Sequence, residues 1–164
     1  MTSSVNIILI RISEQHMYLL DDKDRVLFDY QVSTSRFGSG NKEGSYQTPL
    51  GLHLIKEKIG GDMPAGEVFI ARQAQGVLDD LKEGGSELPE DIITSRILWL
   101  EGLEPGINQG GDVDTFQRYI YIHGTPDEDN IGKPVSHGCI RMRNQDVIDV
   151  FDRVQTGCIV KIDE

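Results

Sequence analysis

The apolar residues of this chain occur in short runs, and the residues between the runs favour turns. Ile7-Ile8-Leu9-Ile10, for example, is a largely β-branched run that Arg11 ends. Runs of this length predict buried strands, and they are too short for a bilayer-spanning helix or an export signal. Glycine is also frequent, with 18 residues against 6 prolines, as expected where turns join many strands. The pattern therefore predicts a mainly β chain.

The strands can be placed approximately along the sequence. We predict them at residues 5–12, 17–20, 25–32, 52–56, 67–71, 96–100, 118–123 and 158–162. The second and third of these flank four polar residues, 21–24, and are expected to form a hairpin. One helix is predicted at residues 144–154, with Asn144 as its N-cap and apolar residues at helical spacing.

Length and charge limit the classes of protein to which the chain can belong. A chain of 164 residues corresponds to one domain, so we expect residues 1–164 to form a single domain. A net charge of −11 argues against nucleic acid and against an anionic membrane surface as partners. If Met1 is the native start, no export leader precedes the chain and a cytoplasmic location is expected. A trimmed export signal would instead place the protein outside the cytoplasmic membrane. The sequence leaves the oligomeric state open.

One stretch is strongly acidic. Residues 76–93 carry six carboxylates, and their spacing is not that of a calcium loop. We interpret this stretch as a solvated surface insertion that begins with a short helix, and we expect no metal site there. The wider segment, residues 60–117, is either a lid over a cleft or an inert insertion.

Residues 121–141 carry the chemistry that the sequence offers. His123 lies at the end of a predicted strand, and a turn-rich stretch can bring Cys139 back towards it. A thiol is mostly protonated near neutral pH, and a nearby imidazole can take its proton and later return it to a leaving group. We expect the nearby cations, Arg141, Arg143 and Lys133, to lower the thiol pKa. Gly138 allows close approach of a substrate, and the amides of Gly138 and Cys139 are expected to face an oxyanion.

The same residues also allow a zinc site or purely structural roles. His123, His137 and Cys139 offer three zinc ligands, but the spacing of the last two lacks the usual gap of two or more residues. The chain is therefore expected to use neither a metal nor a cofactor. For His137 we favour a structural role in the loop. For Cys158, inside an apolar run, we expect a buried small side chain.

The motif around these residues resembles the signature of the YkuD-type L,D-transpeptidase family. The signature is His-Gly-Thr/Ser followed by Ser-His-Gly-Cys-hydrophobic-Arg/Asn, and it stands here at residues 123–125 and 136–141. Residues 30–35 and 48–51 are also similar to family motifs, with Ser35 where the family has Gly.

The resemblance implies a fold, an activity and a set of site residues. The implied fold is a β-sandwich with a few short helices and the active loop over one end. The implied activity is thiol-dependent acyl transfer on the tetrapeptide stems of peptidoglycan or muropeptides, at the bond between an L-centred diamino acid and D-alanine. Cys139 is the implied nucleophile and His123 the base, with its ring held by the Gly124 carbonyl. Arg141 would bind a donor carboxylate, and Ser136 and Thr125 would line the site.

The acceptor distinguishes two forms of the activity. An acidic, single-domain member in the cytoplasm fits water as the acceptor, which gives L,D-carboxypeptidase activity in muropeptide recycling. The alternative is L,D-transpeptidation, which forms cross-links for cell-wall biogenesis or exchanges D-amino acids. A second alternative is a non-catalytic module that binds muropeptides or zinc.

Overall fold

Ten strands and two short helices make up the computed structural model, which describes residues 4–164. The strands are β1 Ile7–Arg11, β2 His16–Leu20, β3 Val26–Gln31, β4 Gly51–Ile59, β5 Glu67–Ile70, β6 Gln73–Val77, β7 Ile93–Gly102, β8 Tyr121–Gly124, β9 Ile140–Met142 and β10 Ile159–Asp163. The helices are α1 Leu78–Glu83 and α2 Asn144–Arg153. The predicted mainly β fold with few helices is confirmed.

The strands form one hydrogen-bonded network. Its main path is β3-β2-β1-β10-β4-β7-β5-β6, while β8 pairs with the free edge of β7 and β9 pairs with β8. Only the β1–β10 and β8–β9 pairs are parallel. The predicted hairpin is the β2–β3 pair, in which the Asp21 carboxylate accepts hydrogen bonds from the amides of Lys23 and Arg25.

One large core joins the two halves of this network. The side chains come from β1, β2, β3, β4 and β10 on one side and from β7, β8, β9 and α2 on the other. Because both halves bury side chains against each other, the sheet folds over on itself as a sandwich. Alternate residues of β7 point the other way, so Ile97 and Trp99 join a second, smaller cluster with Tyr121 and Cys139.

Several local predictions were wrong or incomplete. The strand expected at residues 118–123 begins only at Tyr121, because Tyr119 lies in a turn with a φ of 57°. Asn144 is the first residue of α2 rather than its N-cap, and Arg143 occupies the cap position. Strands β6 and β9 were not predicted. Residues 60–117 are not an insertion, since they include β7, a central strand of the sheet.

No helix among residues 4–164 has the length and apolar character needed to cross a lipid bilayer.

Candidate active site

The pairing of β7, β8 and β9 brings the predicted site residues together on one face. His123 pairs with Ile97 of β7 and with Arg141 of β9, and Tyr121 pairs with Trp99. Because side chains alternate along a strand, Tyr121 and His123 point to the same face, as do Cys139 and Arg141. Cys139, one residue before β9, therefore lies beside Tyr121 and is the diagonal neighbour of His123 on that face.

The backbone around Cys139 is held by a set of loop hydrogen bonds. Ser136 Oγ donates to the Cys139 carbonyl over 2.6 Å and accepts from the Gly138 N–H over 3.2 Å. Thr48 Oγ1 donates to the Gly138 carbonyl over 3.0 Å. Gly138 has a φ of 129°, a conformation that residues with a Cβ rarely adopt. Together these features fix the position of the thiol and keep Cys139 partly exposed.

Two backbone groups contact the sulfur atom itself. The Tyr121 N–H donates to Cys139 Sγ over 3.3 Å, and the thiol donates to the Tyr119 carbonyl over 3.5 Å. The turn at Tyr119, which the sequence did not predict, therefore provides the acceptor for the thiol proton in this resting arrangement.

His123 is fully buried, and its two ring nitrogens have different surroundings. Nδ1 donates to the Gly124 carbonyl over 2.7 Å, as the family resemblance implied. This bond makes Nε2 the unprotonated nitrogen of a neutral imidazole. Nε2 is buried and has no hydrogen-bond partner within residues 4–164. Burial lowers the pKa of His123, so the ring is neutral near neutral pH and can accept a proton at Nε2.

The thiol is protonated at rest. Burial raises the pKa of Cys139 to about 12, and the Asp91 carboxylate raises it further. Arg141 and Arg118 act in the opposite direction but do not overcome burial. Arg141 lowers this pKa as expected, but burial of the sulfur is the larger effect and the net pKa is raised. Ionisation of Cys139 has to accompany proton transfer to an acceptor.

Arg141 is paired with a carboxylate that the sequence placed in the solvated acidic stretch. Arg141 Nη2 donates to Asp91 Oδ1 over 2.9 Å, and the Arg141 side chain is only 8% exposed. Asp91 Oδ2 lies 3.8 Å from Nδ1 of His137, whose Nε2 accepts from Arg36 Nη2 over 2.5 Å. The predicted loop residue His137 thus lies between Arg36 and the Asp91–Arg141 ion pair along one side of the site. Asp91 was predicted to be solvated like the rest of the acidic stretch, and it forms an ion pair with Arg141 instead.

Three other predicted residues shape the site from beneath. Ser136 is fully buried and holds the loop as described, while the Thr125 hydroxyl accepts from the Asp127 N–H over 3.1 Å. A Cβ on Gly124 would lie 2.5 Å from the Thr94 carbonyl oxygen, so only glycine fits there. Because both hydroxyls are engaged inside the protein, a substrate contact by Ser136 or Thr125 stays a prediction. The Gly138 amide is likewise engaged, which leaves the Cys139 amide of the two expected oxyanion donors.

Arg118 is a site residue that sequence reasoning missed. Its guanidinium donates to the Gln47 carbonyl over 2.6 Å and to the Gly40 carbonyl over 3.3 Å, and its charge lowers the pKa of Cys139. Arg118 therefore holds the 38–48 loop and places a cation near the thiol. No local signal in the sequence distinguishes it from a solvated arginine.

An aromatic wall flanks the thiol on the side away from His123. Trp99 stacks on Phe116 with ring centroids 4.0 Å apart and meets Tyr121 edge-on at 5.6 Å. The Arg72 guanidinium lies 4.7 Å from the centre of the Trp99 ring and donates to the Tyr121 hydroxyl over 2.9 Å. Trp99 and Tyr121 are buried, so these rings form a packed layer beside the thiol.

The described residues contain no cluster of three or more histidine, cysteine or carboxylate side chains arranged to hold a metal ion. The Nδ1 of His123 is also engaged with a carbonyl. The arrangement on this face is therefore a partly exposed thiol, a buried neutral imidazole with a free acceptor nitrogen, and a buried guanidinium.

Comparison with known proteins identifies the family. Residues 5–162 match the family of the YkuD type, described as the L,D-transpeptidase catalytic domain. This chain belongs to that family. Bacillus subtilis YqjB, named as an L,D-transpeptidase, is 36% identical over 101 residues, which are 60% of this chain and 51% of YqjB. Escherichia coli YbiS, named for the same activity, is 48% identical over 48 residues, or 29% of this chain and 16% of YbiS. The matched part thus spans about half of YqjB and less of YbiS.

Solved structures of L,D-transpeptidases share the fold. L,D-transpeptidase 3 from Mycobacterium tuberculosis superposes with a TM-score of 0.57 at 18% identity, covering 99% of this chain and 61% of the other. An L,D-transpeptidase from Mycobacterium smegmatis gives a TM-score of 0.56 at 18% identity, covering 99% and 59%. At this level of identity the likeness establishes the fold alone.

Proposed function

We propose that this protein is a cysteine acyltransferase that cleaves the bond between an L-centred diamino acid and the terminal D-alanine of a peptidoglycan tetrapeptide stem. The observation that carries the proposal is that the β8–β9 pairing places His123 and Cys139 on one face, where His123 Nε2 is a buried acceptor without a partner among residues 4–164. A buried polar atom left unsatisfied calls for a ligand or a reaction that uses it. Here it is the proton acceptor that a thiol with a raised pKa requires.

The proposed reaction begins with proton transfer. The Cys139 thiol gives its proton to His123 Nε2 as the sulfur attacks the carbonyl carbon of the diamino acid. The tetrahedral intermediate places its oxyanion near the Cys139 amide. The carbon–nitrogen bond then breaks, and the imidazolium returns the proton to the leaving amine of D-alanine. The product is a thioester on Cys139, and His123 is again neutral and ready to activate the acceptor.

The proposed acceptor is water, which makes the enzyme an L,D-carboxypeptidase. Asp91 contacts Arg141 and lies near His137, so the segment that contains it crosses one side of the site. This position is expected to restrict access for a bulky amine. The second candidate is transpeptidation, in which an amine of another stem or a free D-amino acid resolves the thioester. The names of YqjB and YbiS favour this second form.

Mass spectrometry of the products tests the proposal and separates the two forms. A tetrapeptide muropeptide is incubated with the enzyme, with and without a free D-amino acid. Tripeptide and D-alanine alone indicate hydrolysis, and an exchanged tetrapeptide or a cross-linked dimer indicates transfer. An intact tetrapeptide after prolonged incubation would contradict the proposed function.

A β-lactam offers an independent probe of the thiol. The solved structure of the M. tuberculosis L,D-transpeptidase 3 holds a faropenem-derived adduct. We expect a penem or carbapenem to acylate Cys139 of this protein. Intact-mass measurement should show an adduct on the wild type and none on Cys139→Ala.

A further inference from the structure

The Arg141–Asp91 pair joins a strand of the sheet to a loop. Arg141 lies on β9, and its guanidinium is buried on the face that carries His123 and Cys139. Asp91 lies between α1 and β7, in a connection of mostly exposed residues, and its side chain is 32% exposed. A buried cation is therefore matched by a carboxylate from a mostly exposed connection.

The match leaves two buried polar atoms unsatisfied. Arg141 Nε and His123 Nε2 have no hydrogen-bond partner among the described residues. They belong to side chains that are direct neighbours across the β8–β9 pair. One is a donor from a cation and the other is an acceptor on a neutral ring. Asp91 engages only Nη2 of the guanidinium, so it does not complete the site.

The terminal D-amino acid of the donor stem carries the groups that would complete it. Its α-carboxylate can accept two hydrogen bonds from a guanidinium, including one from Nε. Its nitrogen, one bond from the carbon bearing that carboxylate, is the atom to which His123 Nε2 must deliver a proton. The two unsatisfied atoms thus have the polarity that a leaving amino acid requires, a donor for its carboxylate and a group that can exchange a proton with its nitrogen.

We propose that Asp91 is an internal competitor for the subsite of Arg141 that receives the terminal carboxylate of the donor. The proposal rests on the proposed function, because the donor's leaving group is the ligand. In a donor with a free terminal carboxylate, that carboxylate takes the place of the Asp91 carboxylate on the Arg141 guanidinium. A donor whose terminus is amidated has no charge to exchange with Asp91, so Asp91 stays on the guanidinium. Asp91 therefore lowers the affinity of the Arg141 subsite for the free carboxylate, and a neutral terminus does not feel this competition.

Alkylation of Cys139 tests the competition without any peptidoglycan substrate. Iodoacetate and iodoacetamide both form a sulfur–carbon bond and release iodide, and they differ in the carboxylate that iodoacetate carries. In the wild type Asp91 screens Arg141, so iodoacetate gains little from the guanidinium. In Asp91→Asn the free guanidinium should attract it, and the rate ratio of iodoacetate to iodoacetamide should rise about tenfold, as for a charge-assisted hydrogen bond.

Matched variants separate the proposed contact from a general charge effect. Glu90→Gln removes one negative charge from an exposed neighbour of Asp91, and it should leave the ratio unchanged. In Asp91→Asn/Arg141→Gln the gain should disappear. Should this double variant fail to fold, persistence of most of the gain in Asp91→Asn at high salt replaces it, because salt screens a general charge effect more than a buried contact. An unchanged ratio in Asp91→Asn, or an equal rise in Glu90→Gln, overturns the proposal.

An activity measurement then connects the subsite to the donor. Asp91→Asn should lower the KM for a tetrapeptide with a free terminal carboxylate severalfold, and Glu90→Gln should not. With a terminal amide, Asp91→Asn should gain less. If the wild type shows no turnover, the proposed function fails while the alkylation ratio still decides the role of Asp91. Equal gains in KM for the acid and the amide would overturn the assignment of the carboxylate to Arg141.

Discussion

The two cysteines of this protein make an informative comparison. Cys139 and Cys158 are both free and partly exposed, and burial raises the pKa of both thiols. The Cys158 thiol contacts the carbonyls of Asn6 at 3.9 Å and Ile159 at 3.7 Å and interacts with the backbone of Ile8. Cys139 also contacts backbone groups, and it differs in sharing a sheet face with a buried imidazole. Burial alone therefore does not mark a reactive thiol, and the neighbouring proton acceptor makes the difference.

Removal of each sulfur in turn should give the largest difference in turnover between the two cysteines. Cys139→Ala should lower turnover of a tetrapeptide muropeptide by at least about 10⁴-fold, because no nucleophile remains. Cys158→Ala should retain nearly full turnover. Product formation is followed by mass spectrometry, and circular dichroism confirms that both variants fold. Retained activity in Cys139→Ala would refute the assigned nucleophile.

Removal of the imidazole should have the next largest effect. His123→Gln lacks the proton acceptor, so the rate of acylation should fall by about 10²–10⁴-fold. The matched control is His16→Gln. The His16 ring contacts Asp29 at 2.7 Å, and its strand, β2, is far from β8 in the order of the sheet. A single-turnover assay measures the loss. An equal loss in both variants would show that the effect is not specific to the His123 position.

Substitution of Arg118 should sharpen the comparison further. Arg118→Gln removes a charge that lowers the pKa of Cys139, so alkylation of Cys139 by iodoacetamide should slow by roughly tenfold at a fixed pH. Arg118→Lys keeps the charge and should slow it less. Cys158 in the same molecule is the internal control, and its alkylation rate should not change. Peptide mapping by mass spectrometry reports both rates, and equal slowing at the two thiols would contradict this role.

The smallest expected effect is on stability at alkaline pH. The pKa of Cys139 is raised in the folded state, so its contribution is complete below the unfolded pKa of about 8.5 and is lost as the pH rises. Cys139→Ala should therefore lose less stability than the wild type between pH 8 and 10, by about 1 kcal/mol after allowance for partial exposure. Urea unfolding at the two pH values measures this. A steeper loss in the variant would contradict the raised pKa.

Much of the fold could be predicted from local patterns. The strands β1, β2, β3, β5 and β10 and the helix α2 follow apolar patterns that are legible within a few residues, so the sequence alone locates them. Strand β9 has three residues with Arg141 in the middle, and it is recognisable only through its pairing with β8. The helix start was misread because the Asn144 side chain is used elsewhere. Its Oδ1 accepts from Thr94 and Ser95, about fifty positions earlier in the chain.

The candidate site divides in the same way. Cys139, His123 and Arg141 were found because a dense motif brings them close in sequence. Asp91 and Arg118 reach the site from segments that lack any local signal, and Asp91 contacts a residue fifty positions away. The net pKa of Cys139 could not be predicted for a related reason. Charges near in sequence were counted, while desolvation and the carboxylate of Asp91 depend on the folded structure.

The parallel pairing of β8 with β9 has a practical consequence for anyone studying how this chain folds. A slip of one residue between the two strands would turn Cys139 and Arg141 to the opposite face, away from His123. Molecules with a shifted β8–β9 pair would then have no turnover, and none would have an intermediate activity. Recovery of turnover during refolding would thus count only chains in which β8 and β9 are correctly aligned, and would do so without any attached dye or label.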